Sequence, residues 1–249
     1  MLRLLALATS ALAVRVELHF MSECHECQMH IAAINDDIMT GGLEASYAEA
    51  GIIEHLELSV DYYGEIGDDG TCESAAGDDP HGPQQCEIDR VHLCAQNMYG
   101  GTKTGAAATW WPFVHCMFSQ INWLKCGSNW FCEDYDDFAV RRDAVVNMCS
   151  TVMFPAQFNS SAIFECANGE LGAELQAASF NRTAAIPDEY GFAAPFVNGN
   201  FVDAEVEWRL SPDQLHYGKT ILMEVCNNLE DPASAAACAN MTKPIKAAH

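Results

Sequence analysis

Cys24 and Cys27 stand two residues apart in Cys24-His25-Glu26-Cys27, and their spacing points directly to chemistry. Two thiols so placed at the start of a helix close a small disulfide ring, with the first sulfur outward and the second shielded. The first sulfur meets unpaired backbone N–H groups and the positive end of the helix dipole, which favour its thiolate and make it the attacking group. Cys24 takes that role, and Cys27 resolves the mixed disulfide that forms. Glu23 and Glu26 oppose ionisation of Cys24, whereas His25 assists it once protonated. An ordinary thiol is ionised to only about one part in three thousand at pH about 5, so reaction in acid depends on such neighbours and on backbone amides. Two bland uses compete: a structural bridge, or zinc. Zinc needs a second ligand pair, and neither His81 with Cys86 nor His92 with Cys94 makes another two-Cys knuckle, so no metal site is assigned.

The flanking residues supply the scaffold. Val14, Val16, Leu18 and Phe20 alternate with Arg15, Glu17 and His19, the pattern of a strand with one buried face. After the pair, Met29, Ile31, Ile34 and Ile38 recur at helical spacing until Gly41-Gly42. A second helix-like piece follows, and then Leu56, Leu58, Val60 and Tyr62 alternate as a strand closed by Gly64. Strand, helix, strand builds a parallel pair, so the class is α/β.

Residues 64–85 are rich in Gly, Asp and Pro and read as a loop. From about 86 to 155, Cys86, Cys94, Cys116, Cys126, Cys132 and Cys149 are spread among four Trp without sustained alternation, which indicates a helical, disulfide-stapled insertion. Ser160 to Phe180 resumes a helical pattern through Ile163, Phe164, Leu171 and Leu175. Ala194 to Val202 reads as two short strands about Asn198-Gly199, which supplies the positive backbone angles of a tight hairpin. Ala194 and Pro195 are candidates for substrate binding, because a cis bond before such a strand would present backbone groups to an extended peptide; a trans Pro at a strand's first residue is the alternative. Ser211-Pro212 opens a last helix.

The 249 residues carry 35 acidic and 12 basic side chains, a formal charge of −23, which excludes a general nucleic-acid binder. With 49% hydrophobic and 19% charged residues the chain can bury a substantial core. Residues 1–13 place Arg3 before an apolar run and end in Ala11-Leu12-Ala13, a signal-peptide pattern, and no later stretch reaches the roughly 18 consecutive apolar residues of a membrane span. Acceptor triplets at Asn159, Asn181 and Asn240 agree with secretion, as do twelve Cys. Setting Cys24 and Cys27 aside leaves ten, enough for five bridges of undetermined connectivity. The division expected is a leader 1–13, one domain 14–230 and a tail 231–249.

Strand, two-Cys turn, long helix, second strand, Cys-rich insertion and Pro-started hairpin resemble the gamma-interferon-inducible lysosomal thiol reductases, a thioredoxin-like group. The family signature Cys-Gln-His-Gly-x-x-Glu-Cys-x-x-Asn, with a Cys five residues beyond, is met by His81-Gly82, Cys86 and Cys94. Asp79-Pro80 replaces Cys-Gln, Gln85 replaces Glu and Asp89 replaces Asn, with Cys72 available in place of the missing Cys. Glu165-Cys166-Ala167, Gly169, Gly172, Leu175, Asn181-Arg182-Thr183, Glu189-Tyr190, Pro195 and Val197-Asn198-Gly199 resemble the C-terminal half in order and spacing. The resemblance implies a thioredoxin-like fold and a glycoprotein that reduces disulfides of protein or peptide substrates in acidic vesicles, without organic or metal cofactor, drawing electrons from a small thiol or a thiol protein. Cys24 and Cys27 fall on the family's redox pair. A secretory-pathway oxidase or isomerase, or a non-catalytic disulfide-rich binding protein, are the alternatives.

Overall fold

Alternation decides the first two strands. In the computed structural model, β1 (Val14–Phe20) and β2 (Leu56–Tyr62) run parallel, in register from Val14 opposite Leu56 to Phe20 opposite Tyr62. The structure describes residues 13–22, 24–39, 52–68, 70–73, 83–120, 138–151, 158–187, 190, 193–203, 216–229 and 238–239. One face of the pair, Val14, Val16, Leu18 and Phe20 with Leu56, Leu58, Val60 and Tyr62, is buried in the core beside Ile31, Ile34 and Ile38. The crossover contains α1 (His25–Ile34), which continues through a wider turn over Asn35–Met39. Of the helix-like piece expected before β2, only a single 3-10 turn, Ile53–His55, falls among the described residues.

The presumed loop after β2 contains regular structure among its described residues. It forms a small hairpin, β3 (Glu65–Ile66) with β4 (Cys72–Glu73), and α2 (Pro83–Met98) begins inside it, with Pro at the first turn where no N–H is needed. The insertion is helical: α2 is followed by α3 (Ala107–Ser119) and α4 (Phe138–Thr151). The segment from Ser160 is two helices, α5 (Ser160–Asn168) and α6 (Glu170–Thr183), broken at Gly169, whose backbone is extended. A side chain at Gly172 would strike the Cys166 carbonyl, so glycine lets α6 fold back on α5.

The chain then returns to the sheet through β5 (Pro195–Val197), antiparallel to β1, and β6 (Asn200–Phe201), giving the order β2-β1-β5-β6. Asn198 and Gly199, at φ 51° and 79°, make the turn between them as the sequence requires. A last helix, α7 (His216–Asn227), lies against α1, and Gly218 permits the approach because a Cβ there would sit 2.3 Å from the Ala33 carbonyl oxygen. A parallel βαβ unit, a hairpin returning beside its first strand and a closing helix constitute a thioredoxin-like fold. The opening Ser211-Pro212 lies outside the described residues.

The outer edge of β2 is closed by side chains. The Val60 N–H donates to Gln96 Oε1 at 2.9 Å and the Tyr62 N–H to Ser179 Oγ at 2.8 Å, so α2 and α6 occupy an edge that would otherwise invite strand addition.

Bridges join Cys72 to Cys86, Cys94 to Cys166, Cys116 to Cys149 and Cys226 to Cys238. The first two cross the borders of the insertion, which is therefore tied to the domain on both sides, and Cys72 is the partner of Cys86. Cys126 and Cys132 lie outside the described residues. Because Cys94 and Cys166 are 72 residues apart, their bridge restricts the unfolded chain strongly. Replacing both by Ala should lower the unfolding free energy by about 4 kcal/mol, as measured by urea unfolding without reductant.

Candidate active site

β1 ends at Phe20 and the chain turns at Met21 and Ser22, with the Cys24 N–H donating to the Met21 carbonyl at 3.1 Å. Cys24 is extended, φ −81° and ψ 124°, and its Sγ accepts the Cys27 backbone N–H at 3.4 Å. A sulfur thus does what Ser or Asp ordinarily does at a helix N-cap, in the place where a negative charge is best received. Cys27 is completely buried and its Sγ accepts the Met21 N–H at 3.5 Å. Both are thiols and not joined in a disulfide. Cys24 is the more accessible, but at 7% exposure it is less open than the expected outward sulfur, because capping draws it onto the helix end. Glu23 and the side chains of His25 and Glu26 lie outside the described residues.

The insertion helps to hold α1. Trp111 Nε1 of α3 donates to Asn35 Oδ1 at 3.1 Å, just beyond the end of α1. Ser22 Oγ donates to the Gln85 carbonyl at 3.3 Å and Gln85 Nε2 to the Tyr63 carbonyl at 3.3 Å, so the first turn of α2 braces the turn that carries the cysteines.

Polar groups that the sequence reading did not assign to the site lie buried around the end of the parallel pair. Asp61 is bound in two-pronged fashion by Arg182, Nε to Oδ2 at 2.8 Å and a terminal nitrogen to Oδ1 at 2.6 Å. Thr183 Oγ1 donates to the Tyr62 carbonyl at 2.9 Å, so Arg182 and Thr183 of the Asn181-Arg182-Thr183 triplet fix α6 to β2. The Tyr62 hydroxyl is 2.7 Å from His92 Nδ1. Burial holds the Tyr62 phenol well above its ordinary pKa, reinforced by the charges of Asp89, Asp61 and Cys27. Burial lowers His92 to about 3; it also lowers His19, opposite Asp61 in the register, to about 4, with Asp61 opposing and Arg182 assisting. A legible signal existed for part of this set: Gln85, Asp89, His92 and Gln96 fall at helical spacing, a polar stripe where a core helix would carry an apolar one.

Ala194 and Pro195 are both buried, and the pairing of Pro195 with Leu18 sets Ala194 beside the end of β1 from which the Cys24 turn departs. The described residues contain no cis peptide bond, so the cis bond expected before Pro195 is replaced by a trans one. Trans is favoured by about 0.5–1 kcal/mol, and the chain is redirected one residue earlier, at Ala193, whose φ is 69°. The acceptor Asn159 is exposed at the N-cap of α5 and Asn181 is exposed on α6; Asn240 lies outside the described residues, as does the leader up to residue 12. No three His, Cys, Asp or Glu side chains gather to hold a metal among the described residues.

A two-Cys turn capping α1 at the end of β1 is an arrangement of thiols able to carry out thiol–disulfide exchange. Residues 15–130, just under half the chain, match the family described as Gamma interferon inducible lysosomal thiol reductase (GILT), the family that the sequence resembles. Among solved structures the chain is similar to one described as "The oxidoreductase NmDsbA1 from N. meningitidis", at 11% identity and a TM-score of 0.48, over 88% of this chain and 86% of that one. No curated protein matches it.

Proposed function

We propose that the chain reduces disulfides of protein or peptide substrates in an acidic vesicular or extracellular compartment, with a small thiol or a thiol protein restoring its dithiol. The observation that carries this reading is the cap: Cys24 Sγ accepts the Cys27 N–H at the positive end of α1, while Cys27 stands shielded three residues on. In the first half-reaction the Cys24 thiolate attacks a substrate disulfide, forming a mixed disulfide and releasing one substrate thiolate. In the second, Cys27 attacks Cys24 Sγ, releases the other substrate thiolate and leaves Cys24 and Cys27 oxidised. Ala194 and Pro195, beside the end of β1, receive the substrate backbone. The bridges among the described residues and the exposed Asn159 and Asn181 support a secretory-pathway setting.

The test is mild reduction, alkylation at acidic pH and mapping of the label by mass. Cys24 should be among the first sites modified, and its absence from them would remove the enzymatic reading in favour of an inert binding protein. The reduction potential of the couple decides direction: a strongly oxidising value contradicts net reduction while leaving exchange chemistry intact.

A further inference from the structure

The turn that carries the cysteines is held on two sides through one residue of α2. Within the turn the Met21 N–H donates to Cys27 Sγ and the Met21 carbonyl accepts the Cys24 N–H, so a shift of Met21 disturbs contacts of both cysteines. Phe20 and Ser22 flank Met21. The Phe20 carbonyl accepts the Tyr63 N–H at 3.0 Å, the Tyr63 carbonyl accepts Gln85 Nε2, and the Gln85 carbonyl accepts Ser22 Oγ. These three hydrogen bonds, with the chain from Phe20 to Ser22, close a ring whose one member from α2 is Gln85. Ser22 and Gln85 are 1% and 0% exposed, so water does not replace either bond.

Gln85 sits on an anchored turn of helix. The next residue, Cys86, is bridged to Cys72 of β4, and its carbonyl accepts Gln176 Nε2 of α6 at 2.8 Å. The ring thus transmits the position of α2 to the dithiol turn. Its link to Tyr63 requires a proton on the side chain of residue 85. An amide carries one at every working pH; a carboxyl of the same shape donates only while protonated and, once ionised, sets a buried charge against a carbonyl oxygen. The family signature has Glu at this position, so the amide is a departure of this chain. Charged and titratable groups on the surrounding elements are Asp61 of β2, bound by Arg182 of α6, and His19 of β1, edge-on to the Tyr63 ring. The β3–β4 hairpin adds Glu65 and Glu73, and α2 itself adds Asp89, one turn on, and Arg90, bound to Gln176. Variants at position 85 keep all of these, so a changed pH profile belongs to that position.

We propose that Gln85 is a positioning residue for the dithiol: its neutral amide fastens the Cys24 turn to the end of β2 irrespective of pH, and a carboxyl in its place makes exchange follow the titration of that carboxyl. The step that depends on it most is closure, in which Cys27 attacks Cys24 Sγ and the substrate thiolate leaves, because three sulfurs must then align. The inference rests on the reading of Cys24 and Cys27 as a redox pair.

The test uses the reduced protein and 5,5′-dithiobis(2-nitrobenzoate), followed by stopped flow from about pH 5 to 9. The first nitrothiobenzoate released reports attack by Cys24, and the second reports closure by Cys27. Each variant's second-phase rate is divided by that of the wild type at the same pH, so that ionisation of the thiols, common to both, cancels. For Gln85→Glu the ratio should stay near one in acid and fall about tenfold as pH rises, inflecting above about 4.3 because burial raises a carboxyl. Gln85→Met, which has no donor at any pH, should slow closure about tenfold throughout, the scale of one hydrogen bond. Ser22→Ala added to Gln85→Met should slow it little further, since both act through one ring. A Gln85→Glu ratio that is flat with pH overturns the proposal, as does an unaffected Gln85→Met. If Gln85→Glu fails to fold, the other two variants decide, because additive slowing refutes a shared ring. A missing first phase at Cys24 in the wild type is a different failure: it removes the redox reading, and this inference with it.

Discussion

Cys24→Ser should lower reduction of a disulfide-bonded test protein by roughly a thousandfold or more, the scale of losing the nucleophile from residues that act as a unit, while circular dichroism and melting temperature hold. The structure explains why fold and activity separate here. Cys24 caps α1 by accepting the Cys27 N–H, and Ser is among the preferred N-cap residues, so the helix keeps its cap while the sulfur is lost. Cys27→Ser should behave differently. Cys24 still attacks, but nothing expels the captured partner, and a mixed disulfide at Cys24 accumulates that non-reducing mass spectrometry detects. If Cys27→Ser yields no trapped species while Cys24→Ser is inactive, the two roles are wrongly divided.

The sequence was most informative where one periodicity ruled. Val14–Phe20 and Leu56–Tyr62 alternate because one face packs into the core and the other meets polar surroundings, and both strands occur at the residues expected. The hairpin at Asn198-Gly199 was legible because those residues tolerate positive φ. The cysteine pair was legible because its chemistry depends on spacing along a helix. Other features depend on partners distant in sequence. Arg182 meets Asp61 across 121 residues, and the Cys94–Cys166 bridge ties the insertion to α5, neither of which a local pattern encodes. The start of α2 was missed because Gly, Asp and Pro around it resemble a loop, although Pro83 at a first helical turn is consistent with both. The cis bond expected at Pro195 failed for a related reason: Ala193 turns the chain with a left-handed φ, a role a sequence reader gives to Gly or Asn.

Acid should destabilise the reduced protein through its buried histidines. His19 and His30 are lowered by burial from 6.5 to about 4, and His92 to about 3. The unfolded chain therefore takes up three protons near pH about 6.5 that the native state refuses until about 4 or below, so stability is full above that upper limit and falls as pH drops through the window. Each histidine contributes about 1.4 kcal/mol per pH unit, and the three together about 4 kcal/mol per unit, a large share of the 5–15 kcal/mol typical of a domain. Urea unfolding between pH 7 and 5 should show this slope, and His30→Gln should reduce it by about one third; an unchanged slope would mean that His30 is not held neutral. The same linkage gives the staples a role in an acidic compartment. A bridge such as Cys94–Cys166 acts on the unfolded chain without regard to proton uptake, so its stabilisation of about 4 kcal/mol persists where the histidine contribution is lost. The double Ala variant at those positions should therefore still be folded at pH 7 and lose its structure at a higher pH than the parent protein.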